Sequence, residues 1–205
     1  MKVIFALASL VALSLPAAAL AQSSNYDSRS GSGGYYSRLS YTYAELRLVS
    51  ADYDGPGGSA DGVSIGGSLL FQPQLFGVAS YTSVGDNGVD IDTLDLGVGY
   101  RAGISQRTDL LGILGVVFSN VDTPGGSNDD SGISLTGGIR STVAPQIELD
   151  GFVNYTELYG DGDMTLTGQG LLHVTPQLSL LTSLALSDIV NTVTIDGRCN
   201  FTTTR

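Results

Sequence analysis

Tryptophan is absent from this chain of 205 residues, cysteine and histidine occur once each, and charged residues make up only 14% of it. A single cysteine, Cys199, excludes an internal disulfide, so the fold must hold without covalent staples. Lysine occurs only at Lys2, and nine basic residues stand against twenty acidic ones, for a net charge of −11. That balance excludes the basic footprint expected of a nucleic-acid-binding surface. Beyond the first residues there is no apolar run of the about 20 residues that a membrane helix needs. The one histidine, His173, is the only candidate around which an acid–base constellation could be built.

The N-terminus carries the one long apolar stretch. Lys2 supplies a positive start, Val3 to Leu15 reads VIFALASLVALSL, and Ala19-Leu20-Ala21 is a small-x-small cleavage pattern. This is the plan of a secretory signal peptide over 1–21, and no cysteine follows it to accept a lipid. Residues 22–38, QSSNYDSRSGSGGYYSR, have almost nothing to bury and read as a flexible tail. The domain is expected over 39–205.

From Leu39 onward the side chains alternate at period two, and glycine recurs inside the alternating stretches, which disfavours helices. In TLDLGVGYRA, residues 93–102, Leu94, Leu96, Val98 and Tyr100 fall on one face and Asp95, Gly97, Gly99 and Arg101 on the other. The same division places Glu45, Arg47, Arg140, Glu148, Asp150, Asp196 and Arg198 together on the polar face. Charges buried on such a face must pair to be tolerated. FQPQLFGV, VAPQIELDGF and VTPQLSLL show a recurring Pro-Gln break followed by renewed alternation, and Ile104-Ser105-Gln106-Arg107 reads as a fourth copy without proline. Between these breaks lie more acidic connectors at 50–61, 84–90, 120–131, 159–163 and 187–191.

Four short and five longer connectors join ten strands, expected near 39–50, 62–71, 75–83, 91–103, 108–119, 132–143, 147–158, 164–174, 178–187 and 192–201. Short turns alternating with longer loops are the rhythm of an antiparallel up-and-down transmembrane β-barrel, all-β, with an even strand number. Eight strands is the alternative count. Phe71, Phe76 and Tyr100 are expected at the periplasmic interface and Tyr81, Phe118 and Tyr155 at the outer one. A secreted soluble β-sandwich that binds a partner through its acidic loops also explains alternation, but not the short–long rhythm.

LSYTYAEL (Leu39–Leu46) and LGVGYRAGISQRTDLL (Leu96–Leu111) resemble the small outer-membrane β-barrel family well represented in xanthomonads, within the OmpA-like and porin-like barrels. Tyr41, Tyr43, Leu96 to Tyr100, Ile104, Ser105, Thr108, Asp109 and Leu110 carry the likeness, and Gln106 stands where the family has proline. The resemblance implies a barrel in the outer membrane of a Gram-negative cell, a regulatory association with diffusible cell-density signals, and no catalytic residues. Such barrels usually finish on an aromatic residue that the assembly machinery recognises, whereas this sequence continues past Phe201 with TTTR, so either Phe201 serves in that place or assembly is impaired.

A structural, surface-interaction or narrow-pore role without catalysis is therefore expected, with no cofactor and no catalytic, cofactor-binding or metal-binding residue. An outer-membrane hydrolase built on His173 is the enzymatic alternative. The expected partners are outer-membrane lipid and lipopolysaccharide, with the assembly machinery during insertion. The protein is expected to be a monomer that binds no nucleic acid. Asp52, Asp54, Asp61, Asp86, Asp90, Asp122, Asp129, Asp130, Asp161 and Asp163 would gather at the outer end, as a solvated acidic rim or as a weak divalent-cation surface.

Overall fold

The computed structural model describes residues 39–53, 58–86, 88–188 and 190–201. The expected signal peptide and tail, Asp54 and the four residues after Phe201 lie outside them. Ten antiparallel strands close into one barrel: β1 (Tyr43–Tyr53), β2 (Ser59–Leu70), β3 (Leu75–Asp86), β4 (Val89–Gly103), β5 (Thr108–Thr123), β6 (Gly126–Ala144), β7 (Ile147–Leu158), β8 (Asp161–His173), β9 (Leu178–Leu186) and β10 (Val190–Asn200). Each strand pairs with its sequence neighbours, and β1 closes on β10 from Tyr43 opposite Asn200 to Tyr53 opposite Val190. Closure leaves no free sheet edge around the wall, the condition for a sheet to stand in hydrocarbon.

The barrel is inverted relative to a soluble domain. Leu46, Leu48, Leu114, Leu135, Leu166 and Ile195 point outward and are more than half exposed, whereas Glu45, Arg47, Arg140, Glu148, Asp196 and Arg198 are buried inside. A sandwich would hide the first set and wet the second, so the soluble alternative is overturned by which face carries which residues. The parity expected for the charged residues holds throughout. Leu114, 65% exposed near the middle of β5, gives a direct check. Leu114→Arg is expected to cost about 2–4 kcal/mol, the penalty for arginine at mid-bilayer depth on a barrel's lipid face, read from denaturant unfolding in lipid vesicles.

At one end three of the four expected turns share one hydrogen-bonding frame, while the fourth, at Pro145-Gln146, is a two-residue turn between paired Ala144 and Ile147. Phe71, Ile104 and Val174 each donate a backbone N–H to the carbonyl four residues on, and Gln72, Ser105 and Thr175 each donate to that same carbonyl. Gln106 thus occupies the place of Pro73 and Pro176 in the same hydrogen-bonding frame. The carbonyls of Gln74, Arg107, Gln146 and Gln177 then accept from Arg101, Thr142, His173 and Asn200 on neighbouring strands, at 2.7–2.8 Å. Proline suits these turns because its missing N–H is not needed there. Phe201 N–H donates to the Thr42 carbonyl and continues the ring across the closure.

The other end differs from expectation. Segments 84–90, 120–131 and 159–163 are mostly strand, not loop: Asp86 pairs with Val89, Thr123 with Gly126 and Leu158 with Asp161 across two-residue turns. Acidic composition marked them as loops, yet their polar residues stand on hairpins that rise above the apolar band, where both faces meet water. Tyr159 (φ 56°) and Gly160 (φ 78°) make the β7–β8 connection a turn with both central residues left-handed. Phe76 also departs from expectation. It is 2% exposed and packs inside against Tyr41, so it is not part of the girdle, while Tyr81, Phe118 and Tyr155 do face outward.

Candidate functional site: the closed lumen

Leu39, Tyr41, Tyr43, Glu45 and Arg47 share one parity, and all point into the barrel. The first two precede β1 and join Phe76, Leu111, Ile113 and Phe152 in an apolar cluster at the periplasmic end. Arginines are built onto this cluster. The Tyr41 ring lies between the guanidinium carbons of Arg101 at 4.7 Å and Arg140 at 4.6 Å, with the Phe76 ring centroid 4.9 Å away. Arg198 sits 4.0 Å over Tyr43. Cations over aromatic faces gain most where water is excluded.

Each arginine also meets carboxylates. Arg198 donates to Glu45 at 2.9 Å, and Arg47 pairs with Glu45 and, at 3.3 Å, with Asp196. Arg140 donates from Nε to Glu148 at 2.8 Å, lies 3.4 Å from Asp150, and donates to the Ser40 carbonyl at 3.1 Å. Arg101 reaches Asp109 at 3.3 Å and the Pro73 carbonyl at 2.9 Å. Four arginines and five carboxylates therefore fill the periplasmic half together with two tyrosines. Buried charges at this density persist only because nearly every one has an opposite neighbour.

Above this floor the lining turns to hydroxyls and amides. Asn154 donates to Thr136 at 2.7 Å, Thr156 to Asn154 at 2.7 Å, and Ser183 with Thr194 leads on to Asp196 at 3.2 Å. Among the described residues, the side-chain oxygens of Thr93, Ser119 and Thr167 and both amide atoms of Gln169 are buried without a protein partner. Groups of this kind are ordinarily satisfied by ordered water, so the middle of the lumen is its wettable part. At the outer end Val49, Val84, Ile91 and Val121 close in as a second apolar cluster, with Tyr159 packed against it from the β7–β8 turn. The left-handed Tyr159 is held by its N–H donating to Asp130, and burial raises the pKa of its hydroxyl above the ordinary tyrosine value.

His173 points into the floor near a periplasmic turn, as its parity requires. Its Nδ1 lies 2.8 Å from Ser179 Oγ and its Nε2 is 3.4 Å from Glu148. The three form a Ser–His–carboxylate line, but Ser179 is 0% exposed and its hydroxyl already accepts from Asn200 at 3.1 Å. A nucleophile must come within about 3–3.5 Å of a substrate carbon, and this one is enclosed by the barrel's own side chains. His173→Ala is accordingly expected to remove about 1 kcal/mol of stability, the scale of one hydrogen bond, with no loss of any ester-hydrolysing activity in a membrane assay.

The acidic residues divide by parity. Asp163 is buried, whereas Asp90, Asp122 and Asp129 are exposed on the outer hairpins, Asp90 directly opposite Asp122. Among the described residues no cluster of three or more acidic, histidine or cysteine side chains is arranged to hold a metal ion. The described arginines lie in the lumen or, for Arg107, in a periplasmic turn, so the outer hairpins carry negative charge alone. Sequence reading missed Tyr41, Tyr43 and Asp109 as parts of the floor. Their parity with Glu45, Arg47 and Leu111 was the signal that would have placed them.

A closed barrel with an apolar exterior and a paired, charged interior defines the outer-membrane β-barrel class. The family model described as "Outer membrane protein beta-barrel domain" matches residues 5–172, and the chain belongs to that family. The outer membrane is its location. A search of curated proteins found no match. Among solved structures, the KdgM porin in complex with disordered oligogalacturonate is similar at 9% identity and a TM-score of 0.49, covering 78% of this chain and 99% of that one. The N-terminal β-barrel domain of Pseudomonas aeruginosa OprF matches at 10% identity and 0.45, covering 78% and 99%. Neisserial surface protein A matches at 15% and 0.40, covering 78% and 97%.

Proposed function

We propose that this outer-membrane barrel is a sealed surface element and not an open pore: it anchors and presents acidic hairpins, and it has no catalytic role. The observation that carries this reading is the floor, where Tyr41 lies between Arg101 and Arg140 while Glu148, Glu45 and Asp196 pair with the N–H edges of Arg140, Arg198 and Arg47. Small barrels are filled by their own side chains, and here the filling is both bulky and ion-paired. The apolar collar under Tyr159 adds a second barrier, since a hydrophobic constriction resists wetting. The supporting test is planar-bilayer recording with the full-length protein. Absence of current steps at moderate voltage is the expected result, and a stable ohmic open state would replace this reading with a narrow pore.

The same reading takes outer-membrane lipid and lipopolysaccharide as surroundings, the barrel-assembly machinery as the insertion partner, a monomer as the working form and a leader removed at export. Kinship with the small xanthomonad barrels is its narrower form, supported by Tyr41, Tyr43 and the Leu96–Leu110 stretch. Weak divalent-cation binding belongs to it too, because Asp90 and Asp122 face one another and like charges placed opposite repel.

A further inference from the structure

Asparagine, aspartate or glycine ordinarily fills the first central place of a two-residue turn in which both residues are left-handed. In the β7–β8 turn that place belongs to Tyr159, ahead of Gly160, and Tyr159 is the one non-glycine among the described residues with a positive φ. Tyrosine offers such a turn nothing locally. Its ring cannot bond the neighbouring backbone as a short amide or carboxylate does, and its Cβ is strained in that conformation. Strain of this kind persists only where the surroundings impose it, and what holds Tyr159 lies outside its own hairpin.

The β5–β6 hairpin supplies the polar contacts. The Tyr159 N–H donates to the Asp130 carboxylate, and its hydroxyl donates toward the Asn128 carbonyl at 3.3 Å and the Ser119 carbonyl at 3.5 Å. The apolar contact is with the collar of Val49, Val84, Ile91 and Val121. Val49, Val84 and Ile91 stand on β1, β3 and β4, each three or more strands away from the β7–β8 turn around the ring, so Tyr159 reaches across the mouth of the barrel. Polar lining begins directly beneath it. Thr93 follows Ile91 on the lumen face of β4, opposite Ser119 of β5, and both hydroxyls are buried without a partner among the described residues.

From this geometry we infer that the β7–β8 turn is a lid: Tyr159 plugs the outer mouth, Asp130 latches it, and its outward swing opens the middle of the lumen to the outside while the periplasmic floor stays shut. The two closures share no residue. The floor is a network of ion pairs around Tyr41, whereas the lid is one ring on a turn whose backbone relaxes when it leaves. The lumen then works as a vestibule with one entrance, lined by hydroxyls and amides that suit small hydrophilic solutes and entered past the Asp129 and Asp130 carboxylates, which favour cationic ones.

This inference rests on the reading of the barrel as sealed at its floor, and the test keeps the two apart. Cys199, the one native thiol, faces outward and is replaced by serine, and Thr93→Cys places a thiol just under the collar. Full-length protein in lipid vesicles is treated with a small cationic methanethiosulfonate, after heat-modifiable gel mobility has shown each variant to be a folded barrel. With Tyr159 in place labelling is expected to be slow. Tyr159→Asn, which the turn accepts without strain, is expected to label at least about tenfold faster, because an open mouth replaces a rare local opening. Asp130→Ala should accelerate labelling several-fold, Tyr159→Phe less than either, and Asp129→Asn, on the outer face of the same strand, not at all. Fast labelling with Tyr159 in place, or equal rates with and without it, would overturn the lid. Ion current through Tyr159→Asn in a planar bilayer would instead overturn the sealed floor and leave the lid standing.

Discussion

Arg140→Leu is expected to destabilise the folded barrel by about 3–5 kcal/mol, the cost of breaking a buried ion pair by removing one partner. Arg140 is 3% exposed and holds Glu148, Asp150 and the Ser40 carbonyl while covering one face of Tyr41. Leucine fills much of the volume but leaves Glu148 and Asp150 buried without the guanidinium that pairs with them. The measurement is denaturant unfolding of full-length protein in lipid vesicles. Arg107→Leu, an exposed arginine in a periplasmic turn, serves as the control and should shift stability by no more than about 0.5 kcal/mol. A third variant separates lost pairing from lost shape. Replacing Arg140, Glu148 and Asp150 together by apolar residues of similar size should recover most of the loss, because an apolar core can equal a buried network. Equal stability of Arg140→Leu and wild type would mean that the network contributes little.

Tyr41→Ala is expected to convert a silent barrel into a conducting one. The ring occupies the space between Arg101 and Arg140 and packs on Phe76, so its removal leaves two guanidinium groups free to swing toward Asp109 and Glu148 and away from the axis. Truncating a buried aromatic also costs about 3–5 kcal/mol, so folding must be confirmed before current is recorded. Discrete conductance steps absent from wild type are the expected outcome. They should favour cations, since the outer hairpins carry aspartates and no described arginine. A variant that folds and stays silent would move the seal to the outer collar of Val49, Val84, Ile91 and Val121, and Val84→Ser would then be the change that opens it.

Much of this was legible from alternation alone, because a barrel wall has one simple code. Period two assigned Glu45, Arg47, Arg101, Arg140, Asp150 and Asp196 to the lumen, and a single rule served all ten strands. The periplasmic turns were legible because proline and its Gln106 stand-in mark the end of a strand. The outer hairpins were not, because Asp90, Asp122 and Asp129 are good loop residues and nothing local says that their backbones stay paired above the membrane. Phe76 was misplaced for a related reason. An aromatic near the interface suits either face, and only its parity with Val78 and Ser80 puts it inside. The floor itself depends on which residues meet across the barrel, such as Arg198 with Glu45, 153 positions apart. No spacing rule records that.

This chain is a closed, inside-out barrel standing in the outer membrane. Gel mobility of separated membrane fractions, heated and unheated, tests it most directly. The expected result is a band confined to the outer-membrane fraction that migrates faster unheated than boiled, since a closed hydrogen-bonded ring resists detergent until heat breaks it. Recovery in the soluble fraction, with one mobility whether or not the sample is boiled, would contradict it.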